Sequence, residues 1–167
     1  SCENCLIVGN KAYRGAGVSV GSKNGGTLRN CTIVRNASGE NKSGSYGGAV
    51  SAEGGSVVNC LIVGNTCFDG SKNPDVYGDA ARFYNCFSSA EMGNGCLTGT
   101  KDDVGFRDYD GGDYRFGAFS PCVRKGRYQG WMVGATDFFG RPRTTPGKHV
   151  DIGYYQSDDP GLMLLVR

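Results

Sequence analysis

Two partial metal-binding patterns carry the most chemistry per residue in this chain. Cys2 and Cys5 have the C-x-x-C spacing that sets two thiols on one cation or in one redox pair. No second pair with that spacing and no suitable histidine follows, so no metal centre is expected there. Asp108, Asp110 and Asp113, with Asp102 and Asp103 nearby, cluster hard oxygen ligands of the kind calcium uses. They lack the distal bidentate glutamate of an EF-hand. No cofactor is expected, with calcium at this acidic run as the one candidate. Glycosidic hydrolysis needs two carboxylates facing each other across a groove, and general base catalysis needs a titratable group in reach of a proton. Glu3, Glu40 and Glu53 stand in turns with no acid at the equivalent position elsewhere, and the sole histidine, His149, lies beside Lys148 and Asp151 as a surface residue would. No catalytic residue is assigned.

The elements that must carry these side chains are set by an internal repeat. Asn4-Cys5-Leu6-Ile7-Val8-Gly9-Asn10 returns as Asn30-Cys31-Thr32-Ile33-Val34-Arg35-Asn36 and Asn59-Cys60-Leu61-Ile62-Val63-Gly64-Asn65, then as a worn copy, Asn85-Cys86-Phe87. The Asn-Cys pairs are 26, 29 and 26 residues apart, a period that belongs to solenoids. Gly15-Ala16-Gly17-Val18-Ser19-Val20 and Gly47-Gly48-Ala49-Val50-Ser51-Ala52 form a second matched block, with Thr27-Leu28-Arg29 and Ser56-Val57-Val58 between. Each unit reads as three short strands separated by Gly, Asn and Ser turns, with no helical spacing. The expectation is an all-β parallel β-helix of about three to four coils over residues 1–87, an aromatic-rich cap over 88–156 that closes the last coil, and an apolar tail over 157–167.

Stacked equivalents in such a solenoid lie about 4.8 Å apart. Asn4, Asn30, Asn59 and Asn85 are therefore expected as an inward amide ladder, with Cys5, Cys31, Cys60 and Cys86 as a buried thiol column and Ile7, Ile33 and Ile62 beside it. Column thiols nearly 5 Å apart are too far for the roughly 3.5 to 4.5 Å between Cβ atoms of a disulfide, so they are expected free. The pairing of Cys2, Cys67, Cys96 and Cys122 stays open, Cys96 with Cys122 being the favoured pair. Sequons occur at Asn30, Asn36 and Asn41; Asn30 is expected inside the ladder, the other two in loops.

The 29 glycines among 167 residues, more than twice ordinary usage, are spread through turns without a collagen triplet. A net charge of +2 with interspersed signs argues against nucleic acid as a partner. Of the aromatics, only Tyr13 and Tyr46 precede residue 67, so the second half must build its core differently from the first.

Val104-Gly105-Phe106, Gly112-Asp113-Tyr114-Arg115-Phe116, Ser120-Pro121-Cys122, Asp137-Phe138-Phe139-Gly140-Arg141-Pro142-Arg143 and Val150-Asp151-Ile152-Gly153-Tyr154-Tyr155 follow one another in that order. As a set they resemble the C-terminal ending of bacterial secreted right-handed parallel β-helix repeat proteins, the pectate-lyase-like superfamily. The resemblance implies a right-handed helix, export to the cell surface or medium, and polysaccharide as a partner. It also puts Asp137, Arg143 and Asp151 at recurring positions, expected as a hydrogen-bonded ion cluster that pins the last coil. The chain departs from the ending at Val123-Arg124-Lys125-Gly126 and at Gln156, where acids are usual.

Leu162, Met163, Leu164, Leu165 and Val166 make an apolar run too short to span a bilayer, and no transmembrane segment is expected. Beside a first coil with unpaired edge groups, this run is a candidate strand for head-to-tail assembly of the chain with itself. Arg14, Lys23, Arg35 and Lys42, with Tyr13 and Tyr46, offer a lateral face for a sugar. Two functions are weighed: a structural or adhesive surface module, favoured here, and the C-terminal piece of a polysaccharide lyase or glycosidase, or a glycan-binding module.

Overall fold

The computed structural model describes residues 1–21, 25–39, 48–68, 73–145 and 147–157. The apolar run 162–166 lies outside them, as do Lys23, Glu40, Asn41, Lys42 and Tyr46.

Short β-branched runs between left-handed turns give strands of two or three residues, and their order repeats. The first coil holds β1 (Cys2–Glu3), β2 (Leu6–Val8), β3 (Lys11–Ala12) and β4 (Val18–Val20); the second holds β5 (Thr27–Arg29), β6 (Thr32–Val34), β7 (Ala37–Ser38) and β8 (Val50–Ala52). The third holds β9 (Ser56–Val58), β10 (Leu61–Val63), β11 (Thr66–Cys67) and β12 (Val76–Gly78), and the fourth is cut short after β13 (Phe83–Tyr84) and β14 (Phe87–Ser88), with β15 (Leu97–Thr98) beneath. Each strand pairs in parallel with its equivalents, giving sheets β1-β5-β9-β13, β2-β6-β10-β14-β15, β3-β7-β11 and β4-β8-β12. The chain is thus an all-β parallel solenoid. Each full coil has four strands, not three, because the turn after each Val-x-Asn continues into a two-residue strand.

Register follows the repeat: Ile7 pairs with Ile33 and Ile33 with Ile62, while Cys2, Leu28, Val57 and Phe83 form another aligned column. Stacking this close demands glycine at tight turns. At Gly55, φ is +61° and an added Cβ would lie 2.1 Å from the Gly26 carbonyl of the coil before, an overlap no L side chain tolerates.

Ile33, Cys31, Val57, Cys60, Ile62, Phe83 and Cys86 pack inside the coils, and Met92, with half-buried Ala90 and Cys96, packs against them at the fourth coil. A second core lies on the other face of the β2-β6-β10-β14-β15 sheet. Val34, Leu61 and Val63 point outward there into Phe87, Val104, Tyr114, Phe116, Cys122, Ile152 and Tyr155. Leu61-Ile62-Val63 is therefore buried on both faces, as its continuous apolar run allows.

The segment expected to close the last coil mostly does something else. Residues 88–98 cover the interior, but from the short helix α1 (Lys101–Val104) and the antiparallel pair β16 (Phe106–Asp108) and β17 (Asp113–Phe116) onward the chain lies along the flank. It runs from coil three back to coil one: Gly153 N donates to the Asn59 carbonyl at 2.8 Å, Tyr154 N to Thr32 Oγ1 at 3.1 Å, and Asn4 Nδ2 to the Thr136 carbonyl at 2.8 Å. Most of the buried aromatic bulk sits in this flanking layer, in Tyr114, Phe116, Tyr154 and Tyr155, whereas the coil interior holds Phe83 among aliphatic side chains and thiols.

Candidate functional site

The flanking layer exposes one built feature. β16 and β17 are joined by a turn in which Asp108 Oδ1 accepts from Gly111 N at 2.8 Å, and Gly112 takes φ +88°. On β17, Asp113 and Arg115 lie two residues apart and so share a face. Their bond is bidentate, Nε to Oδ1 at 2.8 Å and Nη2 to Oδ2 at 2.5 Å, and Arg115 holds the Asp113 carboxyl below its ordinary range. The Arg115 guanidinium stacks over Phe139, 5.5 Å from the ring centre.

Phe139 and its neighbour Phe138 are held out by a tight turn. Asp137 Oδ1 accepts from Phe139 N at 2.8 Å and Arg141 N at 2.9 Å, and Gly140, at φ +81°, closes the turn onto the Asp137 carbonyl. Phe138 is 54% and Phe139 46% exposed, although each lies edge-on or tilted to Tyr154 at 5.4 and 5.6 Å. Burial pushes the Tyr154 phenol up to about 12, so it keeps its proton at neutral pH. With Leu6 of the first coil, these groups line a shallow groove of about 410 Å³. Two exposed rings beside an ionised Asp-Arg pair and a phenol can stack on an apolar ring face and bond to hydroxyls around it.

Asp137, Arg143 and Asp151 are brought together and buried, but not as a direct ion cluster. The Arg143 guanidinium donates to the backbone carbonyls of Asp151, at 2.9 Å, and Gly153, and among the described residues it makes no ion pair with either carboxylate. The carboxylates are satisfied by backbone amides instead: Asp151 by Arg124 N at 2.8 Å and Ser157 N at 2.7 Å, and Asp137 Oδ2 by Gln156 N at 2.8 Å. Burial pulls Arg143 down to about 10, against the pull of Asp151 and Asp137. Gln156, where the resembled ending has an acid, serves as an acceptor for Asp151 N at 3.0 Å. The three residues fold the flanking layer rather than pin the last coil.

The asparagine ladder is in another column. Asn4, Asn30, Asn59 and Asn85 sit at left-handed turns with φ of 54°, 49°, 54° and 50°. Their side chains mostly address the flanking layer: Asn59 Oδ1 accepts from Arg127 N at 2.7 Å and its Nδ2 donates to the Arg127 carbonyl at 2.8 Å, while Asn30 Nδ2 donates to the Asp151 carbonyl at 3.3 Å. One long contact, Asn59 Nδ2 to Asn30 Oδ1 at 3.4 Å, links them to each other. The continuous ladder is the repeat's other asparagine. Asn10 N and Nδ2 both donate to Asn36 Oδ1 at 3.0 Å, Asn36 N and Nδ2 to Asn65 Oδ1 at 2.9 and 3.1 Å, and Asn65 N and Nδ2 to Asp75 Oδ1 at 3.2 and 2.9 Å. Ser89 closes it by donating to Asp75 Oδ2 from both N and Oγ. Asn36 is therefore buried and, contrary to the expectation of a loop sequon, closed to modification. The second asparagine recurs at the same offset in all three phrases, so its signal was present in the sequence; what separates the two columns is backbone conformation.

All eight thiols are free. Cys31, Cys60 and Cys86 are fully buried and Cys5 half-buried, and each donates to the carbonyl two residues before it at 3.1 to 3.4 Å. Burial pushes Cys60 well up and Cys122 up to about 12. Cys96 joins this column, since the Phe87–Leu97 pairing sets it beside Cys86 and its sulfur accepts from Cys86 N at 3.3 Å. Cys122 belongs to the flanking core, which removes the pairing expected between them. Gly95, at φ +73°, stands where earlier copies have asparagine.

Asp113 is taken by Arg115 and Asp108 by its own turn, so the acidic run does not converge; among the described residues the one group of three metal-ligating side chains is Cys2, Cys5 and Cys31. His149 is exposed. Among the described residues no helix is long and apolar enough to cross a membrane. No protein-family model matches the chain, nor does any curated protein or solved structure.

Proposed function

We propose that the chain is an adhesive module of a secreted or cell-surface bacterial protein, a right-handed parallel β-helix of the pectate-lyase-like type, and that it holds a polysaccharide against the groove of Phe138, Phe139, Tyr154, Asp113 and Arg115. The observation that carries this is the exposed Phe138-Phe139 pair, fixed by a turn rather than left on a mobile loop. Exposed aromatic surface beside ordered polar groups is what a ligand must cover. Sugars suit it, because a pyranose offers an apolar face to a ring and hydroxyls to Asp113, Arg115 and Tyr154. The Asp113-Arg115 pair already neutralises itself, which favours a hydroxyl-rich chain over a strongly charged one.

Affinity electrophoresis through gels containing soluble polysaccharides tests this. At least one polymer should retard the parent, and Phe138→Ala and Phe139→Ala should each remove most of that retardation while unfolding at near-parental denaturant midpoints. No retardation by any polymer, or retardation unchanged in both variants, overturns the reading. Release of reducing or unsaturated sugars in the same gels would support the enzyme alternative. Head-to-tail assembly rests on residues 162–166; filaments that vanish on deleting Leu162 to Arg167 would establish it, and a strict monomer at high concentration would remove it.

A further inference from the structure

The inward position of the β1-β5-β9-β13 sheet is apolar in every coil but the first. Leu28, Val57 and Phe83 occupy it in turn, and Cys2 stands there in coil one. That replacement sets a third thiol against two of the column. Cys5 belongs to the same coil, Cys31 to the next, and the three sulfurs lie within 4.8 Å of one another. Packing explains the column itself, since Cys60 and Cys86 repeat it in the later coils. It does not explain Cys2, which lies outside the column's register and costs the interior the apolar bulk that Leu28 and Phe83 supply.

We propose that Cys2, Cys5 and Cys31 form a three-thiolate site for a soft d¹⁰ cation of the zinc or cadmium type. Zinc–sulfur bonds of about 2.3 Å set tetrahedral ligand edges at about 3.8 Å, so the sulfurs need only draw together by an ångström or less. Cys2 and Cys5 are half-buried and Cys31 is fully buried, which leaves a path for the ion from the Cys2-Cys5 side and a fourth position for water or another ligand. Each thiol gives its proton to solvent as its sulfur–metal bond forms; no electron moves. The S–H bonds of Cys5 to the Glu3 carbonyl and of Cys31 to the Arg29 carbonyl are released in the exchange. The C-x-x-C spacing of Cys2 and Cys5 supplies half the site, and its remaining thiol comes from one coil further on, 26 residues after Cys5. A linear search for a second C-x-x-C pair cannot find it.

Cadmium chloride added to the reduced full chain under anaerobic conditions reads the site through the ultraviolet thiolate-to-cadmium charge-transfer band. The band should saturate at one equivalent, zinc should compete for it, and the parent should unfold at a higher temperature with cadmium than without. Cys2→Ser and Cys5→Ser, at half-buried positions that spare the fold, should each weaken binding by tenfold or more, whereas Cys67→Ser, outside the cluster, should leave it unchanged. Absence of a saturating band, a band that survives both Cys2→Ser and Cys5→Ser, or a disulfide joining two of the three cysteines in the protein as isolated would overturn the proposal.

Discussion

The two asparagine columns of this solenoid use one residue type for opposite tasks. Asn36 and Asn65 point inward: Asn36 donates twice to the Asn65 amide oxygen of the next coil and Asn65 donates twice to the Asp75 carboxylate, so each acceptor satisfies a backbone N–H and a side chain at once. Asn30 and Asn59 take left-handed backbone and point outward, where Asn59 clamps Arg127 through both its atoms. The inward column joins coil to coil; the outward column joins the coils to the layer lying on their flank. Asparagine suits the second task because it tolerates αL backbone better than other non-glycine residues, and the first because its amide donates and accepts along one line.

The largest effect should come from the inward column. Asn65→Ala takes the acceptor from Asn36 N and the amide donor from the Asp75 carboxylate and the Ile33 carbonyl in a buried site, and a loss of about 3 kcal/mol or more in urea unfolding is expected; a loss under about 1 kcal/mol would break the assignment. Asn59→Ala should cost about 2 kcal/mol, from the lost Arg127 clamp and from placing alanine at φ 54°. Asn59→Gly, which keeps the backbone but not the clamp, should recover part of that. Equal losses in the two variants would mean that αL backbone contributes nothing.

Asp75 sharpens the comparison through pH. Burial raises its pKa above the ordinary 3.8, while bonds from Ser89 and Asn65 oppose the rise. The folded state therefore holds the proton more tightly than the unfolded chain. That contribution is fully present below the unfolded pKa and is lost as pH rises through the folded one. Asp75→Asn, which keeps an acceptor for Asn65, should flatten this part of the stability profile above the ordinary aspartate range, and an unchanged profile would show that Asp75 is not the group responsible. The smallest effect belongs to the outward column's last member. Asn85→Gly should shift stability by less than about 0.5 kcal/mol, since glycine adopts φ 50° freely.

The repeat made the coils, the parallel register, the isoleucine column and the buried cysteines legible, because a period of 26 to 29 residues leaves few architectures open. The direction of each asparagine was not legible, since both recur with the same period and only φ separates them. The flanking layer was legible as aromatic-rich but not as lateral: nothing local in Cys122, Ile152 or Tyr155 says which face of which sheet they cover. Phe138 and Phe139 could have been singled out from sequence as a ring pair between Asp137 and Gly140, two turn formers that cannot bury both. The Cys2-Cys5-Cys31 cluster needed the register, because Cys31 meets the pair only through the stacking of one coil on the next.

Paired double-mutant cycles measure the division of labour most directly. Asn36→Ala with Asn65→Ala probes the inward column, and Asn30→Ala with Asn59→Ala the outward one, both by urea unfolding of the full chain. A coupling of about 1 kcal/mol or more between Asn36 and Asn65 is expected, and one below about 0.5 kcal/mol between Asn30 and Asn59, whose single mutual contact is 3.4 Å long. Equal couplings, or a larger one between Asn30 and Asn59, would contradict the assignment of coil stacking to the inward column.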